Sequence, residues 1–227
     1  MEIGSGATYG SEAGHANAGD GATSHQPGDA SARAQLHHAA AAARIGPNAI
    51  IQTAAALSAV VSPQDVRCIF ETAGIAGYLT AGPATMVGED EVAALFHAVD
   101  LALPPADAAA VARASGRATA DYIVANRIPR TVRNVLAWLP RWMAARVLLA
   151  SIRRHSWTFA GSGRVTATTG RQLALTIAVN PIARPGCHWH VAVFERLFKV
   201  LISPDARVTH PCCCARGDTA CRFEIDI

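Results

Sequence analysis

Residues 131–154, TVRNVLAWLPRWMAARVLLASIRR, decide the fold together with WTF at 157–159, RVTAT at 164–168 and LALTIAV at 173–179, because the hydrophobic period changes between them. In the first segment Val132, Val135, Leu136, Leu139, Met143, Val147 and Ile152 recur at spacings of three and four, the pattern of an amphipathic helix. Pro140 lies within it and predicts a kink or a division, since proline removes a backbone donor and clashes with the preceding turn. In the three later segments the period is two, with β-branched and aromatic residues between Gly-rich turns, which predicts antiparallel strands.

Outward from this boundary the two halves differ. Towards the N-terminus, Gly46-Pro47 opens a helix over 48–61, and Ser62-Pro63 opens another running to Phe70. Glu89-Asp90-Glu91 begins a helix reaching Leu101, and Pro104-Pro105 precedes the Ala-rich helical stretch to Asn126. Towards the C-terminus, Val191, Val193, Phe194, Leu197, Phe198 and Leu201 restore helical spacing over 188–202. Strands over 207–214 and 221–227 follow, joined by the turn Ala215-Arg216-Gly217-Asp218. Helices first and strands later argue for an α+β fold, a helical N-terminal half packed on an antiparallel sheet, rather than a doubly wound sheet.

Residues 1–33 are Gly, Ser, Ala, Asp and His with little to bury, which predicts a disordered tail ahead of a domain over 44–227. No basic residue precedes Arg33 and no apolar run follows the start, so a secretory signal is not expected and a cytoplasmic location is. Net charge is +3 with Lys199 the single lysine, too slight an excess to predict nucleic-acid binding without a clustered basic face. In a reducing compartment six cysteines call for packing, metal or redox roles rather than disulfides.

Four of the cysteines, Cys212, Cys213, Cys214 and Cys221, crowd the end of the chain. Alternation along a strand turns Cys213 away from Cys212 and Cys214, so the three cannot share one ion. The hairpin returns Cys221 alongside, and Cys187 and His210 complete Cys-x22-His-x2-Cys-x7-Cys, a set suited to tetrahedral zinc. The competing reading buries these thiols as small hydrophobes without metal, as is expected for Cys68 in its apolar run.

The run Cys213, Ala215-Arg216-Gly217-Asp218 and Cys221-Arg222-Phe223 resembles the closing motif of the vinyl reductase domain family, small-molecule-binding modules of bacteriochlorophyll biosynthesis proteins and aromatic-sensing regulators. The resemblance spans about residues 44–227 and implies zinc at Cys187, His210, Cys213 and Cys221 beneath a ligand pocket, with His210 standing where the family has an acid. It further implies reduction of a vinyl group on a protochlorophyllide-type magnesium tetrapyrrole, a possible homodimer and contacts with other enzymes of that pathway. Vinyl reduction needs a hydride donor, and neither G-x-G-x-x-G, nor a P-loop, nor an iron-sulfur cysteine series occurs, so the reductant is unknown. The alternative is a carrier that holds the tetrapyrrole and delivers it.

For the ligand, His188 and His190 are candidates for the magnesium, though at a helix start at most one points inward. Trp157 and Phe159, two apart on a strand, would floor a pocket. Seven arginines and no acid lie between Arg127 and Arg154. Arg133 and Arg146 among them are candidates for a propionate, while Trp138 and Trp142 equally suit a helix resting on an anionic membrane.

Overall fold

The computed structural model describes residues 43–227, so the tail expected over 1–33 lies outside the described residues. After strand β1 (Arg44–Ile45) the chain forms α1 (Asn48–Ser58), α2 (Pro63–Thr72), α3 (Gly77–Thr80), β2 (Val87–Gly88), α4 (Glu89–Ala102) and α5 (Pro105–Asn126). Then come α6 (Arg130–Trp138), α7 (Arg141–Arg154), α8 (Trp157–Ala160), β3 (Arg164–Thr169), β4 (Leu173–Ala178), α9 (His188–Leu201), β5 (Arg207–Cys212) and β6 (Ala220–Asp226). This is the α+β architecture that the change of period predicts.

Local chemistry sets the helix ends. Ser62 caps α2 by accepting the Asp65 N–H at 3.2 Å, and the Glu91 carboxylate accepts the Gly88 N–H at 2.8 Å where α4 begins. Pro140 divides the predicted long helix outright. The residue before it, Leu139, is extended, with ψ 147°, and α7 restarts at Arg141.

Two expectations are corrected. Residues 157–159 are not a strand but the helical turn α8, closed by Phe159 and Ala160 N–H groups on the Ser156 carbonyl at 3.1 and 2.8 Å. Three alternating residues cannot distinguish the two periods. Phe159 is buried and Trp157 is 53% exposed, so they do not share a face. Cys68 is likewise exposed rather than core, because α2 turns Val66, Ile69 and Phe70 inward and Cys68 outward.

The sheet has the order β3-β4-β6-β5, every pair antiparallel. Its inner face, with Leu175, Ile177, Val208, Cys221, Phe223 and Ile225, is buried. Helix α9 packs against β5 and, most extensively, against α5, which also packs on α1. Gly116 of α5 permits the close crossing with α9: a Cβ there would lie 2.4 Å from the Trp189 carbonyl oxygen and 2.9 Å from Ala192 Cβ.

Candidate functional site

The β5–β6 pairing carries the detail that builds the cysteine cluster. Thr209 pairs with Glu224 and Cys212 with Arg222, so three steps along β5 match two along β6. This is a β-bulge. On a regular strand His210 and Cys213, three apart, would face opposite sides; the extra residue brings them to one side. Past the bulge, Gly217 with φ +93° turns the chain, and Asp218 Oδ2 accepts the Cys213 N–H at 2.6 Å. Cys187 arrives from the other direction, in the left-handed region with φ +41° just before α9. Val179, the other described non-glycine residue with positive φ, ends β4 and precedes Asn180, whose side-chain amide donates to Cys221 Sγ at 3.5 Å. Backbone strain of this kind costs about 1–3 kcal/mol per residue, and here it flanks both ends of the loop that delivers Cys187.

The ligand atoms of Cys187, His210, Cys213 and Cys221 lie within 4.8 Å of one another, and the three sulfurs are buried. Cys187 Sγ is 3.7 Å from both Cys213 Sγ and Cys221 Sγ. Thiolates at ~2.3 Å from one tetrahedral zinc would stand about 3.8 Å apart. The His210 ring stacks on Phe223, centroids 4.6 Å apart, and both of its nitrogens are buried without a hydrogen-bond partner. Buried polar atoms are rarely left so. Cys187 is held protonated, its pKa raised first by the hydrogen bond it gives Cys221 and then by burial. The same bond lowers Cys221 to about 3 against the opposing effect of burial. Sulfurs this close share protons, and all become thiolates together only around a cation. The donor set therefore fits a tetrahedral metal ion. Cys212 and Cys214 stay outside it, as strand alternation predicts, although the Cys214 N–H donates to Cys221 Sγ at 3.3 Å.

Two cavities lie above this cluster, separated by Trp189. The first, about 590 Å³, is lined by α4, α5 and the approach to α9, and includes His188 and His190. Its polar side chains are already engaged: Arg184 with Asp100 at 2.6 Å and His97 at 3.1 Å, Thr53 with Ser115 at 2.8 Å, His188 Nδ1 with Arg113 at 3.3 Å. His190 is the inward-pointing histidine. It is buried among Phe159, Phe194 and Phe223, and burial, partly opposed by the Phe159 carbonyl, lowers its pKa to about 4.

The second cavity, about 380 Å³, is walled by Ile123, Ile128, Leu148, Ile152, Phe159, Val193, Phe194 and Leu197. Thr119 Oγ1 and Trp189 Nε1 are buried in its lining with no hydrogen-bond partner among protein atoms. Arg127, Ser151, His155 and Trp157 line it as exposed residues and so form its mouth. Of the sequence-predicted ligand residues, the structure thus places Trp157 at this cavity and His188 and His190 at the other. Arg133 and Arg146 line neither; Arg146 instead lies 5.1 Å over the Trp142 ring and donates to the Thr169 carbonyl at 3.1 Å.

Sequence reasoning missed Asn180, Asp218, Thr119 and His155. Asn180 precedes Pro181 and carries a turn signal, but nothing in an Ala-rich helix marks Thr119 as buried.

The 4-vinyl reductase domain family matches residues 175–227, the segment holding all four clustered residues. The chain is 43% identical over 193 residues to the bacteriochlorophyll synthase 23 kDa chain of Cereibacter sphaeroides, covering 82% of this chain and 92% of that one. This protein belongs to the bacteriochlorophyll synthase 23 kDa chain family. A second family member, from Rhodobacter capsulatus, is 37% identical over 185 residues, 79% of this chain and 85% of that one. Among solved structures, an H-NOX protein from S. oneidensis is similar at 11% identity and a TM-score of 0.47, covering 80% of this chain and 98% of that one. As a member of the 23 kDa chain family, the protein carries in its vinyl reductase segment the sheet strands β4, β5 and β6 and the helix α9 that assemble the cluster.

Proposed function

We propose that the protein serves bacteriochlorophyll biosynthesis by holding a divinyl protochlorophyllide-type magnesium tetrapyrrole at the second cavity and presenting it to enzymes of the pathway. Zinc at Cys187, His210, Cys213 and Cys221 is structural in this reading, because four protein ligands leave no open position for substrate. The observation that carries the proposal is the pair of unpartnered buried polar atoms, Thr119 Oγ1 and Trp189 Nε1, set in an apolar wall. Each is a donor awaiting an oxygen acceptor, and a peripheral keto or carboxyl oxygen of the macrocycle supplies one. A cavity of this size encloses one edge of a planar macrocycle and leaves the rest across the mouth.

His155 at that mouth has the chemistry of a magnesium ligand. Its Nδ1 lies 2.9 Å from the Ser151 carbonyl, which fixes the proton on Nδ1 and leaves the Nε2 lone pair free. His188 is the poorer candidate, since its Nδ1 faces the Arg113 donor, which puts the proton on Nε2.

The test is a spectral titration of the purified protein with divinyl protochlorophyllide. A saturable shift of the pigment's absorption is expected, reduced in His155→Ala and in Thr119→Val. No shift at micromolar protein would overturn the reading. Supplying NADPH or a flavin to the complex and following the vinyl group separates carrier from reductase, and a carrier gives no turnover.

A further inference from the structure

From Tyr122 to Phe194 the chain contains ten arginines and not one aspartate or glutamate. The densest part of this acid-free stretch is the pair α6 and α7. Among the described residues, none of the seven arginines from Arg127 to Arg154 pairs with a carboxylate. The same two helices expose large apolar side chains: Trp138 is 90% exposed, and Val135, Trp142, Val147, Val132 and Met143 are also exposed. In α6 only Leu136 is buried, so Val132, Val135 and Trp138, at spacings of three, form a stripe turned to solvent instead of the core.

Amphipathic helices normally turn the apolar face inward. Here it faces outward and is interleaved with unpaired cations and two tryptophans. Charge selects an anionic partner. The tryptophans, whose amphipathic rings settle at the headgroup level, select a lipid interface. Arg146 over Trp142 lets the indole sink while the guanidinium stays with the phosphates.

We infer that α6 and α7 form a docking surface for an anionic phospholipid bilayer, with Trp138 and Trp142 entering the interface and the surrounding arginines contacting headgroups. No helix of the described residues is long and apolar enough to cross a membrane, so the contact is peripheral. The buried side of α7, through Leu148 and Ile152, is a wall of the second cavity, so docking sets the cavity's mouth close to the bilayer surface. That last consequence rests on the pigment-binding proposal; the docking does not.

The experiment is flotation of the full chain, without pigment, on vesicles of phosphatidylcholine alone and of phosphatidylcholine with phosphatidylglycerol. Binding to the anionic vesicles is expected, weakening as salt rises. Neutralising two arginines, Arg130→Gln with Arg141→Gln, should weaken it about thirty-fold, on the scale of ~1 kcal/mol per basic residue near an anionic surface. Trp138→Ala should weaken it at every salt concentration and abolish the blue shift of tryptophan emission. All these residues are exposed, so unchanged thermal melts will show that the variants fold. Failure to float on anionic vesicles at low salt overturns the inference, as does equal binding to both vesicle types. A soluble partner that co-purifies through Trp138, with no vesicle binding, overturns it in favour of a protein interface.

Discussion

Replacing His210 by phenylalanine separates a metal centre from a merely buried histidine by the sign of the effect. The ring is packed face to face on Phe223, and both nitrogens lack partners, so phenylalanine keeps the stacking and removes two orphaned polar atoms. Without a metal, deleting buried unsatisfied groups should stabilise the fold by about 1–3 kcal/mol. With a metal, the same substitution removes one of four ligands. Even loss of a partner outside the ligand shell typically weakens metal affinity 10- to 100-fold. A 100-fold weaker site forfeits about 2.7 kcal/mol of linked stability, and a domain of this size loses roughly 2–4 °C of Tm per kcal/mol. The expected result is therefore a fall of about 5–11 °C in Tm, with less than half the zinc of the natural chain by elemental analysis under reducing conditions. A chelator should bring the natural chain down towards the variant. A higher Tm in the variant, with chelator without effect on either, would refute the metal centre.

Other consequences are equally measurable. Thr119→Val deletes a hydroxyl that has no partner in the free protein, so the melt should stay unchanged or rise while pigment binding weakens about five- to tenfold; equal affinity would show that Thr119 does not touch the ligand. Gly116→Ala gains about 1 kcal/mol of helix propensity. It also drives a methyl against the Trp189 carbonyl of α9, at a cost of ~1–3 kcal/mol, so a net loss is expected, and a raised Tm would contradict the close crossing. His190 has its folded pKa lowered to about 4 by burial, below the ~6.5 of the unfolded chain, so the unfolded state binds the extra proton between those values. Its contribution is complete above about pH 6.5 and is lost as pH falls towards 4, by at most roughly 3 kcal/mol. The pH dependence of stability in that window should be shallower in His190→Leu, and identical slopes would count against a neutral buried imidazole.

The α+β division was legible because period is a long-range property of sequence: the helical spacing over 131–154 and the alternation over 173–179 each extend over enough residues to be decisive. Residues 157–159 were too few, and the same alternation served a helical turn. The ligand set of the cluster was legible from residue chemistry and from resemblance, but not the means of assembling it. Alternation alone sets His210 and Cys213 on opposite faces, and nothing in Thr209 to Cys212 announces the bulge that reunites them. The ligand cavity was the least legible, because burial of Thr119 and Trp189 depends on how α5, α7 and α9 cross. His188 and His190 draw attention as a pair, yet His155, with its proton held by the Ser151 carbonyl, stands at the better mouth.

The central claim is that the second cavity is the pigment site. Its most direct test is the titration of divinyl protochlorophyllide into the natural chain beside Leu148→Trp, which places an indole in that cavity while leaving the first cavity and the cysteine cluster untouched. The account predicts a saturable spectral shift in the natural chain that is lost, with zinc content preserved, in Leu148→Trp. An undiminished shift in the filled variant would contradict it.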